Sequence, residues 1–176
     1  MRIIKVLDKR DYLDTWEKIE RNAVRAIIKK DNLIALVKSK REGFYKFPGG
    51  GVEIDEDHID TLIRETQEES GLVIKENTVR EYGFFVECRK SLFEDAIFEQ
   101  KSYYYTAEVE DDLAPTNLDE YEKELEYELE WVDINTALEV NEAFEGIEEY
   151  TYIVRETYVL QELLTNDKPK RVYLTY

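Results

Sequence analysis

The chain is poor in cysteine, in basic residues and in long apolar runs, and each shortage excludes something. Cys88 is the single cysteine in 176 residues, so no internal disulfide can form. It ends an apolar run and reads as a small buried hydrophobe. Lysine and arginine total 24 against 41 acidic residues, a formal net charge of −17. Such a chain lacks the cations that neutralise a phosphate backbone, which argues against a nonspecific nucleic-acid binder. The same charge repels anionic membrane surfaces. No apolar stretch approaches membrane-spanning length, and the run at Ile3-Ile4 is too short for a secretory leader. A cytoplasmic location is the resulting expectation. Lys168, Lys170 and Arg171 near the end are too few for a nucleic-acid patch. No Pro- or Ser-rich linker and no internal repeat divides the sequence, so residues 1–176 read as one domain. What is present suits a folded globule: 43% hydrophobic and 12% aromatic residues.

The patterning alternates strands with helices. Residues 11–20 read as a short helix, and 22–29 and 33–39 as strands joined at Lys30-Asp31-Asn32. A helix is predicted over 56–70, then strands near 72–75, 79–88 and 101–109. Over 121–132, Leu125, Tyr127, Leu129 and Trp131 alternate with Glu122, Glu124, Glu126, Glu128 and Glu130. That period of two predicts a half-buried strand with an acidic face. Helices follow near 134–144 and 147–165. The apolar residues of the latter, including Ile153, Leu160 and Leu164, suit either a core cover or the seam of a homodimer. The order predicts the α/β class, a sandwich of strands and helices around one core.

The most informative segment is 50–72, GGVEIDEDHIDTLIRETQEESGL. Its helix opens on acidic residues and a capping Asp, which suit the positive end of the dipole. Ile59, Leu62, Ile63 and Thr66 follow i, i+3, i+4, i+7 spacing, and Gly71 sits where a left-handed cap would end the helix. At about 100° per residue, Glu65, Glu68 and Glu69 cluster roughly 120° from that stripe. Three carboxylates at i, i+3 and i+4 repel. The arrangement is tolerable around a divalent cation, and oxygen-only ligands suit Mg²⁺ or Mn²⁺. Phe47-Pro48-Gly49-Gly50-Gly51 precedes the helix, a turn whose glycines let backbone approach a ligand closely. A bare E-x-x-E-E in so acidic a chain would read as a solvated helix face; the loop, Glu56 and Arg64 shift the balance.

The segment fits the template G-x5-E-x7-R-E-U-x-E-E-x-G-U, with U aliphatic, at Gly50, Glu56, Arg64, Glu65, Glu68, Glu69, Gly71 and Leu72. Thr66 departs from it, standing where an aliphatic residue is usual. This resembles the Nudix box, the signature of the Nudix hydrolases. The resemblance covers about an eighth of the chain. It implies an α-β-α fold with a mixed sheet and a pyrophosphohydrolase of MutT-like type, in which water attacks phosphorus of a diphosphate linked to another group, commonly a nucleoside. It implies that Glu65, Glu68 and Glu69 hold Mg²⁺ or Mn²⁺, with one helping to deprotonate water, and that a Gly49 or Gly50 carbonyl completes the metal shell. Arg64, unable to ligate a cation, would orient the glutamates as a bidentate donor, and Glu56 would be a structural partner beside the loop. Further metal ligands in the family come from downstream acids, for which Glu122, Glu124 and Glu126 are candidates; a solvated strand face is the plainer reading of the three. His58 falls in the variable part of the box and reads as an exposed helix residue.

A small phosphorylated substrate, in the first place a nucleotide, needs local cations in so acidic a chain. Arg25, Lys38 and Lys46, on or near strands leading to the glycine turn, are the candidates. Aromatic faces for a base are numerous, including Phe44, Tyr45, Tyr82, Phe84 and Tyr103-Tyr104-Tyr105. The proline that ADP-ribose hydrolases often carry about 16 residues past the box is missing. Arg89 and Lys90 stand where diadenosine polyphosphate hydrolases often have tyrosine. These absences favour a MutT-like or broad-specificity enzyme. Two other readings remain: a ligand-sensing Nudix-fold module with little turnover, which the intact glutamate set disfavours, and a hydrolase of a non-nucleotide diphosphate, which a Lys/Arg cluster would favour.

Overall fold

The computed structural model describes residues 1–147 and 150–166. The tail lysines and arginine, and residues 148–149 of the expected 147–165 helix, lie outside these. In chain order the strands are β1 (Ile3–Asp8), β2 (Lys18–Ile27), β3 (Lys29–Lys30), β4 (Leu33–Ser39), β5 (Tyr45–Lys46), β6 (Arg80–Lys90), β7 (Ile97–Thr106) and β8 (Tyr127–Asp133). The α-helices are α1 (His58–Ser70), α2 (Glu120–Glu124), α3 (Ile134–Glu142) and α4 (Thr151–Asn166). One sheet runs β1-β6-β7-β2, mixed in direction: β1 is parallel to β6, β2 parallel to β7, and β6 antiparallel to β7. In the second, β4 pairs antiparallel with β3, β5 and β8.

The alternation along β2 explains the layering. Val24 and Ala26 pack with Leu62 of α1, whereas Ile27 packs with Val159, Leu160 and Leu163 of α4. Ala35 of β4 joins the α1 side, and Ile34 and Leu36 join the α3–α4 side. Helices therefore cover both faces of the strands, the α-β-α sandwich that the resemblance implied and the element order allowed. Of the apolar residues that suited either a core or a seam, Ile153 and Leu160 are buried within this chain and Leu164 is half-buried against the core; Val159 and Leu163 of α4 are buried beside them.

The helix carrying the box forms as its sequence dictates. Asp57 is the N-cap, accepting from the Ile59 N–H at 2.7 Å, and Gly71 ends the helix at φ 74°, left-handed, donating to the Gln67 carbonyl. Leu62 and Thr66 of the predicted stripe are fully buried, while Ile59 and Ile63 are half-buried. The Thr66 hydroxyl is buried with no hydrogen-bond partner among the described residues, which is where the sequence departs from the aliphatic pattern.

Three secondary-structure expectations are corrected. Residues 11–17 are irregular rather than helical, and 18–20 belong to β2. There the pairing Lys18↔Ile97 through Glu20↔Glu99 overrides a weak local preference. The stretch 72–75 is not a strand but a single bridge, Ile74 to Val109. Residues 121–132 are not one strand: α2 comes first, closed by a capping box between Asp119 and Glu122, and Glu126 at φ 54° turns the chain into β8. The capping hydrogen bonds satisfy free N–H groups that an extended strand would have had to pair elsewhere. The strand β1 lies in a segment read for its want of a leader rather than for structure. Cys88, in β6, is half-buried rather than buried.

Leu62 fixes α1 to the strands. Leu62→Ala should lose about 2–5 kcal/mol of stability, the range for a large aliphatic truncated in a packed core, read from the midpoint of urea unfolding. An unchanged midpoint would show that α1 is not anchored this way.

Candidate active site

The segment 48–52 lies along the free edge of β2. The Val24 N–H donates to the Gly50 carbonyl and the Ala26 N–H to the Pro48 carbonyl, each at 2.9 Å, and the Val52 N–H to the Asn22 carbonyl at 2.9 Å. Gly49 has φ 133°, and a β-carbon there would collide with the Val24 carbonyl. A β-carbon on Gly50 would collide with the Glu65 carboxylate. The glycines thus let α1 place a carboxylate directly on the loop backbone.

Glu69, 2% exposed, fastens that arrangement. One of its carboxylate oxygens accepts from the Lys46 ammonium and the other from the Gly49 N–H at 2.9 Å. Arg64 organises the remaining acids. Its Nε donates to Glu56 Oε1 at 3.0 Å and its Nη2 to both Glu56 oxygens at 2.9 and 3.1 Å. Its Nη1 donates to Glu65 at 2.7 Å and to Glu68 at 3.0 Å. Desolvation works against the guanidinium charge, but the bonds to Glu65 and Glu56 outweigh it and hold Arg64 above the ordinary arginine range. Glu68 is turned toward Arg64 and Asn117, whose Nδ2 lies 3.4 Å from it.

Glu65 and Glu69 line one cavity of about 490 Å³ together with Gly49–Gly51, Lys46, Arg25 and Glu122. Glu68 does not line it. The Glu65 carboxyl is raised, first by desolvation and further by Glu69 and Glu68, against the opposing pull of Arg64. The Glu122 carboxyl is pushed up to about 7, first by desolvation, then by Glu69, against the Asp119 N–H that it accepts. Of the downstream acids, then, Glu122 is not on a solvated strand face: α2 turns it into the cavity wall beside Glu69. Glu124 and Glu126 are exposed. Among the described residues no three His, Cys, Asp or Glu side chains converge on a single point. The oxygens available to a hard cation include those of Glu65, Glu69 and Glu122, the Glu53 and Asp119 carboxylates at the rim, and the Gly50 carbonyl, whose second lone pair is not used by Val24.

Of the expected phosphate contacts, Arg25 and Lys46 line the cavity and Lys38 does not. Lys38 is drawn instead to Glu130 at 3.1 Å, over the Tyr45 ring. His58 is half-buried, its Nδ1 3.0 Å from the Tyr105 hydroxyl and its ring 4.5 Å from that of Tyr103, so it braces the start of α1 rather than standing free. Arg21, Tyr121 and Tyr127 also line the cavity and were missed. Arg21 lies four residues before Arg25 on the same strand, a spacing that puts both on one face. The tyrosines carried no comparable signal, because the helix-to-strand break between them was unread.

The NUDIX domain model matches residues 20–156, most of the chain. The chain belongs to the Nudix family. An ADP-ribose pyrophosphatase from Methanocaldococcus jannaschii is 45% identical over 56 residues, 30% of this chain and 33% of that protein. The match therefore spans about a third of the relative's length. A Nudix hydrolase structure from Nitrosomonas europaea superposes with TM-score 0.52 and 16% identity, covering 80% of this chain and 90% of its own, a likeness of fold. A MutT protein structure from Bacillus halodurans has TM-score 0.47 and 20% identity, over 68% of this chain and 72% of its own.

Glu122 provides a test of the cavity's charge. Its folded pKa lies above the ordinary carboxylate value, so the folded state binds the extra proton, and stability rises as pH falls from about 7 toward about 4.3. Above that window the folded protein carries the charge at a cost. Glu122→Gln should therefore raise the melting temperature in EDTA at pH 8, and the gain should vanish below pH 4.5. A variant no more stable than wild type at pH 8 would place Glu122 in a solvated setting.

Proposed function

We propose that the chain is a metal-dependent pyrophosphohydrolase acting on nucleoside diphosphate-linked or nucleoside triphosphate substrates. The observation that carries this reading is the cavity where Glu65 and Glu69 meet the Gly49–Gly51 backbone, beside Arg25 and Lys46. The donor chemistry fits Mg²⁺ or Mn²⁺. All the donors are oxygens, and Glu65 and Glu122 are raised first by desolvation and further by the neighbouring charge of Glu69, a burden that a cation relieves. Mg²⁺ in phosphoryl-transfer sites takes one or two carboxylates, water and substrate oxygens, so a closed cage of three side chains is not required.

Glu65, Glu69 and the Gly50 carbonyl would hold the ion, with Glu122 beside Glu69 as a further donor and Glu68 at the margin, within reach only if it leaves Arg64. A bound divalent cation supplies charge neutralisation at phosphate oxygens and a more acidic water. Arg25 and Lys46 draw the diphosphate into a molecule whose overall field repels it. One of the box carboxylates accepts the proton of the attacking water. Arg64 is a positioning residue: by gripping Glu56, Glu65 and Glu68 it sets their rotamers. Tyr121 and Tyr127 offer aromatic wall for the group attached to the diphosphate. The partial match to an ADP-ribose pyrophosphatase puts ADP-ribose among the substrates to try, alongside nucleoside triphosphates.

The test is release of phosphate and pyrophosphate over a nucleotide panel with Mg²⁺ or Mn²⁺. Excess EDTA should abolish turnover and added Mg²⁺ restore it; undiminished hydrolysis in EDTA would refute metal dependence. Glu68→Gln retains the shape and can still accept from Arg64. It should lower kcat by at least about a hundredfold, on the order of 3 kcal/mol of barrier. Glu128→Gln, at a surface pair with Lys40, should change little. Wild-type kcat in the Glu68→Gln variant would remove Glu68 from the reaction, and wild-type kcat in Glu65→Gln as well would show that the box is not catalytic. Nucleotide binding with no wild-type turnover would favour a sensor.

A further inference from the structure

A second cavity, about 240 Å³, opens beside the glycine-loop cavity and shares Arg21, Arg25, Lys46, Tyr121 and Tyr127 with it. Strand register and α4 assemble its charge. Arg21, Gln100 and Glu87 stand in one row across β2, β7 and β6, and Arg89 and Phe98 pair in a neighbouring row. Arg155 and Glu156 come from α4. The result is four guanidiniums, Arg21, Arg25, Arg89 and Arg155, facing two carboxylates, Glu87 and Glu156.

The carboxylates are shared and do not cover the charge. Arg155 donates through Nε and Nη2 to Glu156 Oε1 at 3.0 and 2.7 Å, and lies 3.9 Å from Glu87. Arg89 Nε donates to Glu87 at 3.1 Å, its guanidinium 4.4 Å from the centre of the Phe98 ring. Arg25 is 8% exposed; its Nη1 donates to the Val24 carbonyl, while its buried Nε has no hydrogen-bond partner and stands 3.9 Å from Glu156. Arg21 has no hydrogen-bond or ion-pair partner among the described residues. Its guanidinium lies against the glycine loop, 3.2 Å from where a β-carbon on Gly51 would stand. A purely structural ion network would match its charges; here two guanidiniums exceed their carboxylates, and one buried N–H points at nothing. An unpaired buried donor such as Arg25 Nε is costly, and beside the exposed, unpaired Arg21 in a chain of net charge −17 it marks a place built for an anion.

We propose that this cavity binds a further phosphoryl group of the substrate, beyond the diphosphate held at the glycine loop. The inference rests on the hydrolase reading of the adjacent site and narrows its substrates to those with an additional phosphate, such as a nucleoside triphosphate or a phosphorylated sugar linked through a diphosphate. The space is below the roughly 300–1,000 Å³ of drug-sized pockets, so it suits a compact anionic group. Arg21 stands at the junction, against the loop on one side and lining the arginine cavity on the other.

The test is calorimetric binding of α,β-methylene-ADP and α,β-methylene-ATP in EDTA, two ligands that differ by one terminal phosphate. The wild type should bind the triphosphate at least about tenfold more tightly, as expected of one charge-assisted contact. The gain should fall to about threefold or less in Arg21→Gln and in Arg89→Gln. Arg21 is the safer variant, since it pairs with nothing that its removal would strand, and circular dichroism checks the fold of both. Equal affinities in the wild type, or a gain retained in both variants, would overturn the proposal. Because binding is read without turnover, the two claims separate. A triphosphate gain with no hydrolysis of any panel substrate leaves this inference standing and removes the hydrolase. Hydrolysis with equal affinities removes this inference alone.

Discussion

Glu69 is the fastening on which the site depends. A carboxylate 2% exposed joins three elements at once: it stands on α1, accepts from Lys46 at the end of β5, and accepts from the N–H of Gly49. A buried charge is tolerated only when it is paired and hydrogen-bonded, and removing one partner of such a pair typically costs about 3–5 kcal/mol. The same contact holds the glycine turn against the helix. Gly50 then lies so close to Glu65 that a side chain there would displace the carboxylate, and the loop backbone and two helix carboxylates close around one space. Arg64 completes the frame from the other side by gathering Glu56, Glu65 and Glu68. The helix does not merely display a row of acids; two separate cations hold them in different orientations.

That division explains why the three glutamates, equivalent in spacing, are not equivalent in place. Glu65 and Glu69 face the cavity, and Glu68 faces Arg64 and Asn117 at its margin. A divalent cation bound as proposed would compete with Lys46 for Glu69 and with Arg64 for Glu65. The protonated groups that now balance the carboxylates give the cluster a charge-compensated form of its own.

Much of this was legible in the sequence because it is local. The box helix, its Asp57 and Gly71 caps, the buried Leu62 and Thr66 stripe and the grip of Arg64 on its neighbours all follow from residues within one segment, where helical spacing dictates which side chains meet. The misreadings are of two kinds. Local propensity gave way to tertiary pairing at residues 11–20, where β7 recruits Lys18–Glu20 into a strand. A clean period of two concealed a helix at Glu120–Glu124, because a capping box competes with the strand over the first turn, and with it the inward turn of Glu122. The arginine cavity was invisible for a third reason. Residues 21, 25, 89 and 155 are scattered along the chain, and only strand register and the docking of α4 bring them together. A search for runs of basic residues finds nothing, although the cluster it seeks exists in space.

The central claim is that α1 and the glycine turn together form a divalent-cation site in which Glu65 and Glu69 supply oxygens. The most direct measurement is anomalous diffraction from crystals of the protein grown with Mn²⁺. The account predicts a manganese peak inside the cavity, within coordination distance of the Glu65 and Glu69 carboxylates and beside the Gly49–Gly51 backbone. Manganese confined to exposed acids such as Glu128, with that cavity empty at saturating Mn²⁺, would contradict it.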